Sequence, residues 1–390
     1  MFKIKIVLLV IILYSCNTSN QNRDESLLEI ETKLKQSVEI FNKERTQTLV
    51  SPRSIENNSI LMVPSKDWTS GFFPGELWIM YELTGDNYWK EIAIKYTLPL
   101  EQEKLNGKTH DMGFKMYCSY GRAWQNTNDP KYREILIQSA KTLAKRFQPN
   151  IGCIRSWDHN TDKWDYPVII DNMMNLELLF WAANETGNKM YSDIAISHAK
   201  TTLKNHFRDD YSSYHVIDYN PETGEVQNKH THQGYSHNSA WSRGQAWGLY
   251  GYTLVYRETK DPIFLQQAIN IASYILNHPN LPKNLIPYWD FNAPNIPNEP
   301  YDVSAATVIG SALYELSEYT DEKEYLVIAN KIFETLKSPE FLADPATNNG
   351  FLLKHSTGSM PHSSEIDVPL IYADYYFLEM MLRKTNLMKN

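Results

Sequence analysis

Apolar positions along the chain fall into two alternating kinds of run. GELWIMYEL, NLELLFWAA, GQAWGLYGYTLVY and AATVIGSALYEL are apolar nearly all round, whereas DEKEYLVIANKIFETLKS carries a one-sided stripe. A helix apolar on every side is buried on every side, and a stripe belongs to a helix with one face in water. The two kinds therefore predict inner and outer helical layers. Between them recur short turns followed by an aromatic residue: Thr84-Gly85-Asp86 before Tyr88, Asn128-Asp129-Pro130 before Tyr132, Thr186-Gly187-Asn188 before Tyr191, Lys260-Asp261-Pro262 before Phe264, and Thr320-Asp321-Glu322 before Tyr325. Each predicts an αα-hairpin, and their recurrence predicts a repeat architecture. Residues 366–384 supply an inner-type helix without a partner, and residues 26–44 an outer-type one. Pairing the two ends closes a ring of about six hairpins, an all-α barrel in place of an open solenoid. Strand signal is confined to short pieces near 214–219 and 352–354, read as loop hairpins. Without an internal linker, residues 24–390 are expected to form a single domain.

The N-terminus departs from this pattern. MFKIKIVLLVIILYSC has two early lysines, an apolar run and then Cys16. This is the layout of an export signal, and the run is short for a permanent membrane span. LYSC resembles the lipobox of bacterial lipoproteins, which implies a signal peptide over residues 1–16, lipidation of Cys16 and a polar tether over 17–23. Asn17 to Asn20 carries no acidic residue, which favours a periplasm-facing membrane anchor. No later apolar run is long enough to span a bilayer, so a lipid anchor would be the one membrane attachment. Cys118 and Cys153 are too few for a disulfide framework, and the fold must rest on its core.

Composition changes the picture in two ways. A net charge of -8 argues against a nucleic-acid partner, which would call for a basic face. The 10 Trp and 25 Tyr lean towards carbohydrate, because amphipathic rings line sugar clefts, although large helical cores use them too. An anionic substrate would need a local basic pocket.

The unusual residues crowd just ahead of the inner helices, in DWTSGFFPGELW, THDMGFKMYCSYGRAW, YPVIIDNMMN, SHNSAWSRGQAW, PYDVSAAT and MPHSSEIDVP. In a barrel of parallel inner helices these segments meet at one mouth, where helix N-termini favour an anionic ligand. Two acids stand out there, Asp111 and Asp171. Asp171 follows the apolar Val168-Ile169-Ile170 and precedes a buried helix. It could simply be an N-cap, but a carboxylate between apolar flanks is costly to desolvate. Paired carboxylates are also the equipment of glycoside chemistry, one held protonated while the other stays charged.

WTSGFFPGELW, HDMGF, IDNMMNLELLFWA, HVIDYNPETGE, THQGY and SAWSRGQAWGLYGY resemble, in order, the motifs of glycoside hydrolase family 88, the unsaturated glucuronyl hydrolases. The likeness runs over most of the chain after the tether. Family 105, the rhamnogalacturonyl hydrolases, shares the barrel but reads RGNGW where this chain has Arg243-Gly244-Gln245-Ala246-Trp247. The resemblance implies an (α/α)6 barrel that removes a 4,5-unsaturated uronic acid from the non-reducing end of lyase products. It implies hydration of the ring double bond, with Asp171 as general acid and base and Asp111 as its partner.

It also implies substrate contacts for His215 and Gln233, with His110 either touching substrate or supporting the acids. Arg243 and Trp247, at i and i+4, would pair a charged contact with a stacking ring; the bland reading of Arg243 is a surface salt bridge. Trp68 and Trp157 are candidate platforms or core. Ser363 and Ser364 fall in the last loop, where the leaving-sugar preference is expected. The histidines show no HExxH-like spacing and Gly-rich phosphate loops are lacking, so neither metal nor cofactor is expected. The partner expected is an unsaturated uronyl oligosaccharide, derived from a glycosaminoglycan, gellan, xanthan or ulvan. A family 105-like enzyme and a non-catalytic glycan-binding helical-repeat lipoprotein are the rivals, and oligomeric state is open.

Overall fold

The computed structural model describes residues 25–389; the leader, Cys16 and the tether lie outside the described residues. Twelve α-helices among the described residues form two concentric layers of an (α/α)6 barrel. The inner ring contains α2 (Phe72–Thr84), α4 (Arg122–Thr127), α6 (Leu176–Thr186), α8 (Ser242–Thr259), α10 (Val303–Leu316) and α12 (Ile371–Leu387). Their hairpin partners are α3 (Asn87–Thr97), α5 (Pro130–Ala144), α7 (Met190–Asn205), α9 (Pro262–Asn277), α11 (Lys323–Leu336) and α1 (Glu25–Glu44). Every residue of α10 is buried, whereas α11 buries Tyr325, Ala329, Ile332, Phe333 and Leu336 along one side. That is the burial expected of inner and outer helices.

The repeated turns work through their chemistry. Gly85 and Gly187 end their helices in the left-handed region at φ 67° and 70°, where a Cβ is unfavourable. Asp86, Asp129 and Asp261 then cap the next helix by accepting from the backbone N–H two residues on, and Pro130 and Pro262 occupy first helical positions that need no donor. The ring closes where α12 packs on α2. On the outside, Asn42 of α1 accepts from Lys95 and Tyr96 of α3, and Lys337 at the end of α11 donates to Ser26.

Two inner helices do not start as α-helices. Gly113–Gly121 is π-helical before α4, and Ile170–Asn175 is a 3-10 turn before α6. π-Helical turns recur at functional sites because they re-aim side chains. The last inner helix starts at Ile371, five residues later than the pattern suggests. Pro369 holds Val368 in an extended conformation, and Ser364–Val368 becomes a strand.

Strands form only in the connections. β1 (Ser51–Glu56) pairs with β2 (Ser59–Val63), β3 (Phe147–Gln148) with β4 (Cys153–Ile154), and β8 (Ser356–Ser359) with β9 (Ser364–Val368). β5 (Pro167–Ile169), β6 (Val216–Tyr219) and β7 (Val226–His230) make an antiparallel three-stranded sheet. The piece read at 214–219 is β6. Residues 352–354 instead hold a single bridge, Leu342 to Leu353, and the strand follows at β8. Among the described residues no helix is long and apolar enough to cross a membrane.

Candidate active site

Backbone hydrogen bonds lay the two acid-bearing segments side by side at the mouth. Thr109 bridges to Trp157, His110 N donates to Ser156 O at 3.0 Å, and Ser156 N donates to Pro167 O at 2.9 Å. Ile170 N donates to His215 O at 3.1 Å, tying Asp171 to the strand that carries His215. The glycine of HDMGF has a reason here. A Cβ on Gly113 would stand 2.6 Å from Asn175 Cα, so only glycine lets the Asp111 turn approach the Asp171 turn this closely. Asn175 Oδ1 then accepts from Phe114 N. Gly71 of WTSGF meets the Phe114 and Lys115 carbonyls at 2.3 Å in the same test.

The resulting cavity, about 380 Å³, is lined by Asp111, Asp171, His110, Trp68, Trp157, Gln233, Arg243 and Ser364 among others. Sequence reasoning thus brought eight residues to one place. Asp171 is buried in the 3-10 turn and caps nothing: its Oδ2 has no hydrogen-bond partner. The cap reading fails because Ile169, not Asp171, stands at the cap position. Asp302 shows what a cap looks like in this chain, accepting from Ser304 N and Ala305 N at the start of α10.

The acids have opposite electrostatics. Burial pushes the Asp171 carboxyl up to about 7, although His110 and Arg243 pull it down; the Asp111 charge adds to the rise. For Asp111 burial acts the same way but loses to His110, whose Nε2 lies 3.2 Å from Oδ1, and to the Thr109 hydroxyl, which donates to Oδ2 at 2.5 Å. Its carboxyl is therefore held below the usual range. One acid retains a proton near neutrality while its neighbour stays ionised.

His215 lies behind Asp171 and does not line the cavity, contrary to the expected substrate contact. Its Nδ1 accepts from His232 N and Gln233 N at 3.2 and 3.1 Å. Burial drives its basicity far down, so the neutral ring carries its proton on Nε2, 3.6 Å from Asp171 Oδ2. The imidazole thus aims an N–H at the acid. Trp247 is also corrected. Only 1% exposed, it packs against Phe114 and Tyr376 below the cavity. Spacing of i and i+4 gives a common helix face, but Trp247 sits four residues, about 6 Å, further along the helix from the mouth than Arg243.

Arg243 is no surface ion. It is buried, bonded to Asp302 at 2.6 Å and to the Thr357 and Gly358 carbonyls, and lies over the Trp241 and Tyr372 rings. Gln233 donates to Gly358 O. Ser363, exposed at φ 51° between β8 and β9, stays outside the lining while Ser364 joins it. Trp68 is both wall and core, packed against Phe72, Phe114 and Tyr372. Trp157 presents a buried indole N–H without a partner.

Several lining residues escaped the sequence reading: Arg53, His232, His362, Glu365 and Tyr372. For Arg53 a signal existed. Asn57-Asn58, at φ 50° and 61°, is the two-residue turn of a tight hairpin, and β1 carries Arg53 into the mouth. There it forks onto Glu365 at 2.7 and 3.0 Å and reaches Asp67 at 2.9 Å. Among the described residues no group of His, Cys, Asp and Glu side chains is arranged to hold a metal ion.

A buried acid pair at one mouth of an (α/α)6 barrel defines a glycosidase. Residues 41–258 match Glycosyl Hydrolase Family 88, and the chain belongs to that family. It is 52% identical over 326 residues to an unsaturated glucuronyl hydrolase of Formosa agariphila, covering 83% of this chain and 82% of that one. Its fold is similar to a solved unsaturated glucuronyl hydrolase specific for heparin, with a TM-score of 0.89 at 46% identity, covering 94% and 99% of the two chains. It is also similar to a mutant unsaturated glucuronyl hydrolase of Streptococcus agalactiae complexed with dGlcA-GalNAc6S, with a TM-score of 0.77 at 29% identity over 93% of each chain. The family match sets aside the family 105 reading, and with it the non-catalytic one.

Proposed function

We propose that the protein removes the 4,5-unsaturated glucuronic acid from the non-reducing end of lyase-generated oligosaccharides, using Asp171 as the acid that protonates the ring double bond. The observation that carries this role is a buried carboxyl, without a hydrogen bond on Oδ2 and shifted to about 7, beside an acid held ionised. Asp171 delivers its proton to carbon 4, and the Asp111 carboxylate stabilises the positive charge that develops at carbon 5. Asp171, now a carboxylate, takes a proton from the water that adds at carbon 5. The ring oxygen then leaves carbon 5 as a hydroxyl on carbon 1, and that open-chain hemiacetal expels the leaving sugar. His215 Nε2–H steadies the Asp171 carboxylate between the two proton transfers. His110, Trp68, Trp157, Gln233, Arg243 and Ser364 surround the sugar, with Arg243 also fixing the loop around Gly358.

The natural substrate is an unsaturated uronyl oligosaccharide of glycosaminoglycan or ulvan type, as the sulfated uronyl disaccharide in the S. agalactiae complex supports. A panel of unsaturated disaccharides tests this reading: ultraviolet absorbance of the double bond should fall, while saturated glucuronides stay intact. Cleavage of a saturated glucuronide would overturn it. We further propose that Cys16 anchors the enzyme to a membrane facing the periplasm, supported by the LYSC pattern. Wild type should then partition with membranes and Cys16→Ala should be released; a soluble wild type would refute the anchor.

A further inference from the structure

Of the stretch Arg243-Gly244-Gln245-Ala246-Trp247, the site above uses Arg243 and places Trp247 below the cavity, but it leaves Gln245 without a part. Gln245 is fully buried in α8 and does not line the cavity. Its amide is nonetheless committed at both ends to one residue. Nε2 donates to Ser213 Oγ at 2.8 Å, and Oε1 accepts from Ser213 N at 3.3 Å. A backbone N–H can only donate, so Oε1 must face it, which turns Nε2 towards the hydroxyl.

Ser213 lies two residues before His215, whose ring N–H is aimed at Asp171. His215 comes just ahead of β6, which pairing with β5 and β7 holds from Val216 onward. Before His215 the chain folds back on itself, Phe207 bridging to Ser213 and Tyr214 N donating to His206 O at 2.7 Å. Gln245 fastens that turn to the inner helix. The start of the same helix also touches His215 directly. Trp241, whose carbonyl accepts from Gln245 N at 3.1 Å, lays its ring against the imidazole at 4.4 Å between centroids. His215 is therefore gripped from two sides, by Ile170 N on its carbonyl and by the first turn of α8. The grip matters because His215 Nε2 stands 3.6 Å from Asp171 Oδ2, just beyond hydrogen-bond length. A shift of a few tenths of an ångström, on the order of that excess, decides whether the N–H closes on the carboxylate once it forms.

We infer that Gln245 is a positioning residue for the reaction: by fixing Ser213 it sets the approach of His215 Nε2 to the Asp171 carboxylate. The inference rests on the reaction proposed above, in which His215 steadies Asp171 between its two proton transfers. Gln245 touches neither the cavity nor the reacting atoms, so its effect passes through His215 and belongs in kcat, not in KM.

Two substitutions loosen the clamp without emptying the core. Gln245→Asn keeps the amide but, one methylene shorter, cannot reach both groups of Ser213, and Ser213→Ala keeps the N–H but removes the hydroxyl. With an unsaturated disaccharide, Gln245→Asn should lower kcat by about 10-fold and leave KM within about twofold of wild type. A hydrogen bond to a carboxylate favours its ionised form, so a misaligned His215 should also move the falling limb of kcat/KM to higher pH, by about half a unit. Ser213→Ala should lower kcat by about threefold, and the double variant should lose no more than Gln245→Asn alone, because both break one clamp. A Gln245→Asn enzyme that melts lower yet keeps the wild-type kcat and limb would make the residue purely structural and overturn the inference. A double variant whose losses multiply would overturn it as well, and both results leave the reaction standing. A wild type without a falling limb near pH 7 would overturn the role of Asp171, and the inference with it.

Discussion

The two ends of the barrel hold cavities of similar size and opposite character. At the end away from the mouth, a cavity of about 450 Å³ is lined by Glu177, Glu315 and Glu379 together with Arg122, Arg257 and Arg383. Its acids are paired. Glu315 bonds Arg257 and Arg383, Glu379 bonds Arg122, and Glu177 bonds Arg257. Burial opposes ionisation of Glu315, but the two guanidiniums overcome it and hold the carboxyl at about 2. The mouth is smaller, yet it keeps Asp171 Oδ2, His215 Nε2 and Trp157 Nε1 buried and unbonded. Phe114 borders both cavities and forms the floor between them. Size therefore does not locate chemistry in this fold. What sets the mouth apart is that unpaired atoms of an acid, an imidazole and an indole gather around one cavity that substrate can enter, whereas those elsewhere, such as Glu76 Oε1, Trp89 Nε1 and Gln267 Nε2, lie singly in the packed helices.

The sharpest contrast comes from neutralising one acid at each end. Asp171→Asn and Asp111→Asn should each lower kcat by on the order of 100-fold or more while the fold is retained. Glu315→Gln should leave kcat of the folded enzyme within about twofold of wild type. It should destabilise the protein by about 1–3 kcal/mol in denaturant melts, since Arg257 and Arg383 each lose one charged partner while keeping Glu177 and Glu379. A catalytic defect in Glu315→Gln, or near-normal turnover in Asp171→Asn, would erase the distinction between the ends.

A second contrast is in pH. Because the reacting form of Asp171 is the acid, kcat/KM should fall as pH rises through about 7. The folded-state value lies above the ordinary 3.8, so the protonated group contributes stability fully below that value and loses it as pH rises through about 7. Asp171→Asn should accordingly melt higher than wild type at pH 8, with the gap closing towards pH 4. A gap that widens in acid would mean that Asp171 is held ionised. Glu315, whose value is depressed, predicts the reverse: its contribution is present above its ordinary range and is lost as pH falls towards 2.

The smallest effects separate the two tryptophans. Trp157 lines the cavity, so Trp157→Phe, which cuts back that wall and its indole N–H, should raise KM several-fold, about 1 kcal/mol. Trp247→Phe, below the floor, should leave KM within about twofold and appear only in stability.

Which residues the sequence could place follows from the same physics. The hairpins were legible because their turns carry short-range chemistry: a left-handed glycine, an Asp cap, a proline in the first turn. Asp171 was legible because an acid after three apolar residues is unusual, and Asp111 through the likeness of HDMGF to the family motif. The mouth's walls were not, since they depend on pairings between segments far apart in the chain. Arg53 meets Glu365 across more than 300 residues, and Ser363, Glu365 and Asp367 adopt positive φ values that no residue type there announces. Depth was hidden too. Helical periodicity told which residues share a face with Arg243 but not that Trp247 falls beneath the floor.

The central claim is that Asp171 protonates a double bond, and isotope placement in heavy water tests it most directly. Its proton exchanges with solvent before transfer, so product trapped early should carry one deuterium at carbon 4 of the opened uronate, and none in Asp171→Asn. In oxygen-18 water the label should enter at carbon 5, leaving the released sugar's anomeric oxygen unlabelled. Product without deuterium at carbon 4, and with oxygen-18 at carbon 1 of the uronate, would mean displacement at the anomeric carbon and would contradict the account.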